Sequence, residues 1–223
     1  MPDVTAIYYT GHREVPAFEE KIRRTLLDTL GDTPLISVSQ RPLDFGHNIC
    51  VGDVGQSAHN AWRQLQIGAE AATTKFVCAA EADYLYPPDY FTFSPPRDDT
   101  FYLPSPMYIL FAQTGRTHPF ALKPKGQEGA MVVNRELLLR RLWRMFADLP
   151  QWRDREPGTG RDPKRLHLFG KHPRERFETK VATITFKTDN NLHQATQYSR
   201  RSETMELPYW GVSTDLLEKY LEA

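Results

Sequence analysis

Two carboxylates one residue apart, Glu81 and Asp83, follow the short apolar run 75–80 (KFVCAA). That run has β propensity, and in an α/β protein the carboxyl end of a strand is where ligand-handling groups emerge into a crevice. Side chains two apart on an extended segment point to the same side, so both acids could address one ion. A hard divalent cation held there could in turn clamp a diphosphate. Solvated loop acids are the plainer reading, but Tyr84, Leu85, Tyr86, Pro87 and Pro88 make the surroundings apolar and stiff. Unpaired carboxylates would be costly in such a place.

Strands and helices must carry these acids. Residues 5–10 read as a first strand ended by Gly11. Residues 16–30 read as a helix, with Pro16 in the first turn, Glu19 and Glu20 early, Phe18, Ile22, Leu26 and Leu30 at helical spacing, and Gly31 as the stop. Residues 34–39 form a second apolar strand. A polar loop over 41–55 leads to a helix over 57–72, where Ala58, Ala61, Leu65 and Ala69 face the sheet and Asn60, Arg63 and Gln64 do not. Residues 76–80 are the next strand. This alternation predicts an α/β fold, a mainly parallel sheet with right-handed crossovers and flanking helices. Residues 100–111 then read as one or two strands, 134–146 as a basic helix and 181–186 as a late strand. Residues 153–174, rich in Pro, Gly and charge, read as a long loop or lid.

The segment 57–91, ending AEADYLYPPDYF, resembles the GT-A-fold glycosyltransferases, especially the bacterial and phage family-2-like enzymes. The resemblance extends to TFYL at 100–103, NRELLL at 134–139, REPG at 155–158 and LPYWG at 207–211. It implies one GT-A-like, Rossmann-like domain over 1–223, with a nucleotide-sugar half (1–99), an acceptor half (100–223) and a basic lid (147–180). It also implies Mn2+ or Mg2+ bridging Glu81 and Asp83 to a nucleoside-diphosphate sugar, with Asp83 the direct ligand. Gln40 stands where that family often has an Asp reading the base, which leaves the base open. The family's metal-shell His falls nearest Lys187 and Thr188, neither of them His; His193 either substitutes as a ligand or is a surface residue.

By the same resemblance Thr10 and Arg13, in the Gly-opened turn 10–14 (TGHRE), sit where such enzymes receive the nucleotide, and Arg suits phosphate as a planar fork; a polar loop with a surface Arg is the alternative. Gln56, Asn60 and Arg63 share a helix face that either reaches the nucleotide or is solvated. Glu128 and Glu156, each in a Gly-flanked loop, are candidates for the base that takes the proton of an acceptor hydroxyl; the strand read after Glu128 favours it.

The chain is formally neutral, with 28 basic and 28 acidic residues, so no overall polyelectrolyte character points to nucleic acid or acidic membranes. Locally, 140–180 is strongly basic, with Trp143, Trp152, His167, Phe169 and His172 interleaved. This is either a solvated helix and lid or a surface for DNA, the acceptor then being a hydroxymethylated base. Cys50 and Cys78 give no disulfide framework. The lack of an apolar stretch of about 18 residues or a leader pattern predicts a soluble cytoplasmic protein without a membrane partner. The leading expectation is a metal-dependent glycosyltransferase. A sugar nucleotidyltransferase and a non-catalytic nucleic-acid-binding protein are the alternatives, the first weakened by a Gly-poor turn at 10–14.

Overall fold

Val4, Ala6 and Tyr8 of β1 (Val4–Thr10) turn to one face of the sheet and Ile7 and Tyr9 to the other, and all are buried. A strand apolar on both faces must be covered on both, as in a parallel α/β sheet. The computed structural model describes residues 3–113, 118–153, 171–191 and 202–221. From β1 the chain enters α1 (Pro16–Leu30), which starts on Pro16 and stops at Gly31, where φ is 57°. Then come β2 (Leu35–Ser39), β3 (His47–Cys50) and α2 (Ala58–Ala71), capped by the Ser57 side chain on the Asn60 amide. Next are β4 (Phe76–Glu81), β5 (Tyr84–Leu85) and a short α3 (Pro88–Phe91). The second half holds β6 (Phe101–Phe111), β7 (Phe120–Leu122), β8 (Val132–Asn134), α4 (Arg135–Phe146) and β9 (Arg174–Lys187). It closes with β10 (Glu203–Thr204), the ribbon of β11 (Glu206–Leu207) and β12 (Gly211–Val212), and α5 (Ser213–Leu221).

The strands order as β10-β7-β6-β8-β4-β1-β2-β3, with β9 beside β6 and β5 beside β9. β3, β2, β1 and β4 run parallel, β8 is antiparallel to β4 and β6, and the long β6–β9 ladder is again parallel. This is the expected mixed, mainly parallel, Rossmann-like α/β arrangement. The chain leaves β1 toward β2 and β3 and returns on the other side as β4, so the direction of winding reverses between β1 and β4. Crevices form at such switch points, outside the carboxyl ends. The α2/α4 face packs Leu65, Ala69, Leu138 and Leu142 on Ile7, Val77 and Ala79. The α1/α3 face packs Leu26, Leu30, Tyr90 and Phe91 on Val4, Ala6 and Cys78.

Two segments differ from expectation. β3 lies inside the predicted polar loop 41–55; its residues lack apolar alternation, and Asn48 holds it by donating Nδ2 to Ser37 Oγ and Ser39 Oγ, both at 2.8 Å. The expected lid loses 174–180 to β9, which pairs with β6 from Phe101↔Arg174 onward. Only Phe177 and Thr179 of that stretch face inward while the charged residues face water, so its composition reads as loop. No helix among the described residues is long and apolar enough to cross a membrane.

Candidate functional site

β4 ends on Glu81, and the chain turns at Ala82 and Asp83 before β5. The two acids therefore do not project together from extended backbone, as their spacing predicts. The turn is set by β5 pairing antiparallel with β9 and by the Phe186 amide donating to the Asp83 carbonyl at 2.8 Å. Glu81 and Asp83 consequently draw on different partners. Glu81 Oε1 accepts the Tyr9 hydroxyl at 2.6 Å, while Asp83 Oδ2 accepts Asn191 Nδ2 at 2.9 Å and faces Lys187 Nζ at 3.9 Å. They still feel each other: burial, then the Asp83 charge, raises the Glu81 pKa. Burial raises that of Asp83 against the pull of Lys187.

A third acid, Glu14, joins them. It is buried in the first turn; Thr188 Oγ1 donates to both its oxygens at 2.9 Å, and Asn191 Nδ2 reaches Oε1 at 3.3 Å. Asn191 thus bridges Glu14 and Asp83. Burial, and after it the Asp83 charge, pushes Glu14 up to about 7. The sequence singled out this turn for Thr10 and Arg13 and passed over Glu14; an acid directly beside a phosphate-suited Arg was the available signal. Lys187 and Thr188, where a metal-shell His was sought, instead address Asp83 and Glu14.

Thr10 Oγ1 accepts the His12 amide at 2.9 Å, and Arg13 Nε donates to the Asn190 carbonyl at 2.7 Å, which ties the first turn to the segment after β9. Gln40 and Asn60 meet at the loop 53–55. Gln40 Nε2 donates to the Gly55 carbonyl at 2.8 Å and its Oε1 accepts the Val54 amide at 3.3 Å. Asn60 Nδ2 donates to the Val54 carbonyl at 2.6 Å and its Oδ1 accepts the Arg153 amide at 2.9 Å. Gln64 Nε2 donates to the Thr10 and Val38 carbonyls at 2.8 and 2.9 Å, joining the ends of β1 and β2. Asn60 and Gln64 are 1% and 2% exposed, against the expectation that both turn away from the sheet. Carbonyls emerging where the ladder stops need donors, and amides on α2 supply them. Arg63 lies 3.8 Å over the Phe146 ring and donates to the Leu149 and Pro150 carbonyls.

Glu128, half-buried beside Gly129, is close enough that its charge also raises Glu81. Glu156 and His193 lie outside the described residues. Of the basic segment, Arg140 and Arg144 are exposed on α4, and 154–170 lie outside the described residues.

Among the described residues, no three His, Cys, Asp or Glu side chains form a metal-holding group. The acids nevertheless suit a hard cation that takes one or two carboxylates and draws its remaining ligands from phosphate and water. Lys187 stands beside Asp83, and the charges of Arg13 and Lys123 also act on Glu14 and Asp83 respectively. A Cβ at residue 129 would lie 2.7 Å from Glu81 Oε2 and 2.8 Å from Tyr84 Cζ, so only glycine leaves this space beside the carboxylate. The buried Tyr84 hydroxyl has no hydrogen-bond partner among the described groups.

No protein-family model and no curated protein matches the chain. Among solved structures it is similar to the inositol-1-phosphate CTP transferase from T. maritima, with TM-score 0.49 and 10% identity over 98% of this chain and 96% of that one. It is also similar to a mannosyltransferase from Pyrobaculum calidifontis in complex with GDP-Man and Mn2+, with TM-score 0.45 and 16% identity over 82% of this chain and 56% of that one. A third is the catalytic domain of Drosophila beta1,4galactosyltransferase 7, with TM-score 0.38 and 12% identity over 62% of this chain and 51% of that one. The chain thus spans only about half the length of the latter two.

Proposed function

We propose that this chain is a nucleotide-sugar-using transferase that moves a glycosyl group from a nucleoside-diphosphate sugar to an acceptor hydroxyl. The observation that carries this reading is the cluster of acids at the carboxyl ends of β1 and β4, where the winding of the sheet reverses: buried Glu14 and Asp83 and half-buried Glu81, with Lys187 brought to Asp83 from the end of β9. Such a crevice receives nucleotides, and a concentration of buried carboxylates there asks for a cation. Asp83 and Glu81 would hold Mn2+ or Mg2+, which when bound neutralises the diphosphate as it leaves. The chain's own groups do the rest. Arg13 stands at the rim for phosphate, and Tyr9 orients Glu81 through its hydroxyl. Glu128 is the base proposed to take the acceptor's proton, because it lies in the loop before β8 close enough for its charge to act on Glu81. In this reading residues 1–99 receive the donor and 100–223 the acceptor.

The test is a thermal-shift and calorimetric panel of nucleotide sugars, with and without Mn2+, on the wild type and Asp83→Asn. A donor at a hundred times its Kd adds about 2.7 kcal/mol to the native state, a rise of several degrees in Tm. Asp83→Asn should lose the metal-dependent part; unchanged binding in that variant removes Asp83 from the site. Pyrophosphate release from a nucleoside triphosphate and a sugar phosphate would instead mark a nucleotidyltransferase. Labelled-sugar transfer to hydroxymethylated but not plain DNA would identify DNA as acceptor. Salt-dependent DNA binding with no response to sugar nucleotides would leave only a nucleic-acid-binding protein.

A further inference from the structure

Lys187 is the last residue of β9, and its backbone is fixed against the end of β6: it pairs with Phe111, and its carbonyl accepts the Ala112 amide at 2.9 Å. What it does is therefore decided by its side chain, a compact charge on a flexible four-carbon stem. The residue is only 7% exposed, and its ammonium stands 3.9 Å from Asp83 Oδ2. That distance is beyond hydrogen-bond reach, so charge alone holds the pair. The tight donor to the same oxygen is Asn191, at 2.9 Å. A buried carboxylate deprived of its counter-charge is strongly disfavoured, so Lys187 already serves Asp83 as a cation would. A diphosphate is the better partner for an ammonium, being more highly charged and rich in acceptor oxygens. The loose contact and the flexible stem allow the ammonium to turn toward it while β9 stays in place.

We propose that Lys187 is the resident cation of the acid cluster and that it is exchanged on donor binding, leaving Asp83 for the diphosphate so that Asp83 becomes open to a divalent ion. The exchange rests on the nucleotide-sugar reading above; the residency of Lys187 does not. The consequence is reciprocal: a nucleoside diphosphate strengthens divalent-ion binding, and the ion strengthens nucleotide binding by the same factor.

The experiment titrates Mn2+ into the whole chain by electron paramagnetic resonance, alone and in the presence of UDP or GDP, for wild type, Lys187→Met and Lys187→Arg. In the wild type Mn2+ alone binds weakly, and a nucleoside diphosphate tightens it about tenfold or more. In Lys187→Met, Mn2+ alone binds about tenfold tighter than to wild type and the nucleotide's enhancement shrinks, while Lys187→Arg follows the wild type. Lys187→Gln replaces Lys187→Met should the latter not fold, as judged by circular dichroism. A folded, uncharged variant with unchanged or weaker affinity for Mn2+ alone overturns the residency. Equal nucleotide enhancement in wild type and variant overturns the exchange. If neither UDP, GDP nor any other nucleoside diphosphate binds, the transferase reading falls, and the comparison with Mn2+ alone still decides what Lys187 does.

Discussion

Glu14→Gln isolates the cost of crowding acids at the sheet's carboxyl edge. Burial and the Asp83 charge raise Glu14 from an ordinary 4.5 to about 7. The folded chain therefore keeps a proton that the unfolded chain has released, and stability falls as pH rises from about 4.5 to about 7. At 1.36 kcal/mol per pH unit the full loss is about 3 kcal/mol, complete above neutrality. Gln is nearly isosteric; its carbonyl oxygen can accept from Asn191, and its amide can donate to the Thr188 hydroxyl. It carries no charge at any pH, so its advantage over wild type should be small at pH 5 and should grow by about 2–3 kcal/mol at pH 8. Urea unfolding of both proteins at half-unit steps from pH 5 to 8 measures this. The Asp83→Asn background should shrink the effect, because the Asp83 charge is the second cause of the rise. A gap that does not change with pH, or a Gln variant equally weakened throughout, would show that Glu14 is ionised in the fold and refute the reasoning.

Gly129→Ala would place a methyl 2.7 Å from the Glu81 carboxyl and 2.8 Å from the Tyr84 ring. We expect about 1–3 kcal/mol of lost stability by thermal melting, with a larger loss of nucleotide binding by calorimetry; full binding in this variant would mean that the carboxyl is free to move. Asn60→Ala strips partners from the half-buried Val54 carbonyl and Arg153 amide and should cost about 1–2 kcal/mol in urea. A cost under about 0.5 kcal/mol would show that water replaces the amide.

The parallel half was legible because its apolar residues repeat at the periods of buried strands and amphipathic helices, and because Pro16, Ser57 and Gly31 mark element ends chemically. β3 was not: an edge strand held by Asn48 shows no apolar alternation. Glu81 and Asp83 were identified by residue type, but the turn between them was not, since it is imposed by β9, about a hundred residues away. Glu14 was hidden for the same reason. Its partners Thr188 and Asn191 arrive from the far end of the chain, and its place beside Arg13 is the one local sign that sets it apart from a solvated loop acid. Asn60 and Gln64 ran against the polar-outward rule because they satisfy backbone carbonyls, a demand invisible to side-chain patterning.

The position of the acids explains why the cluster tolerates its own repulsion. Glu14 and Glu81 come from the β1–β4 half, while Lys187, Thr188, Asn190 and Asn191 come from the end of β9, reaching across on Arg13, Glu14 and Asp83. The site therefore exists only while the long β6–β9 ladder holds the far strand in place, and that ladder stabilises what the acids destabilise. Local relief would be easy: an Asn or Gln at any of the three positions removes a charge and still leaves a carbonyl oxygen to accept. A stable fold has no need of three acids crowded at one edge of the sheet. Their repulsion leaves the unliganded crevice poised to gain free energy from any cation it admits, and a cation that arrives with a diphosphate relieves the acids and engages Lys187 together.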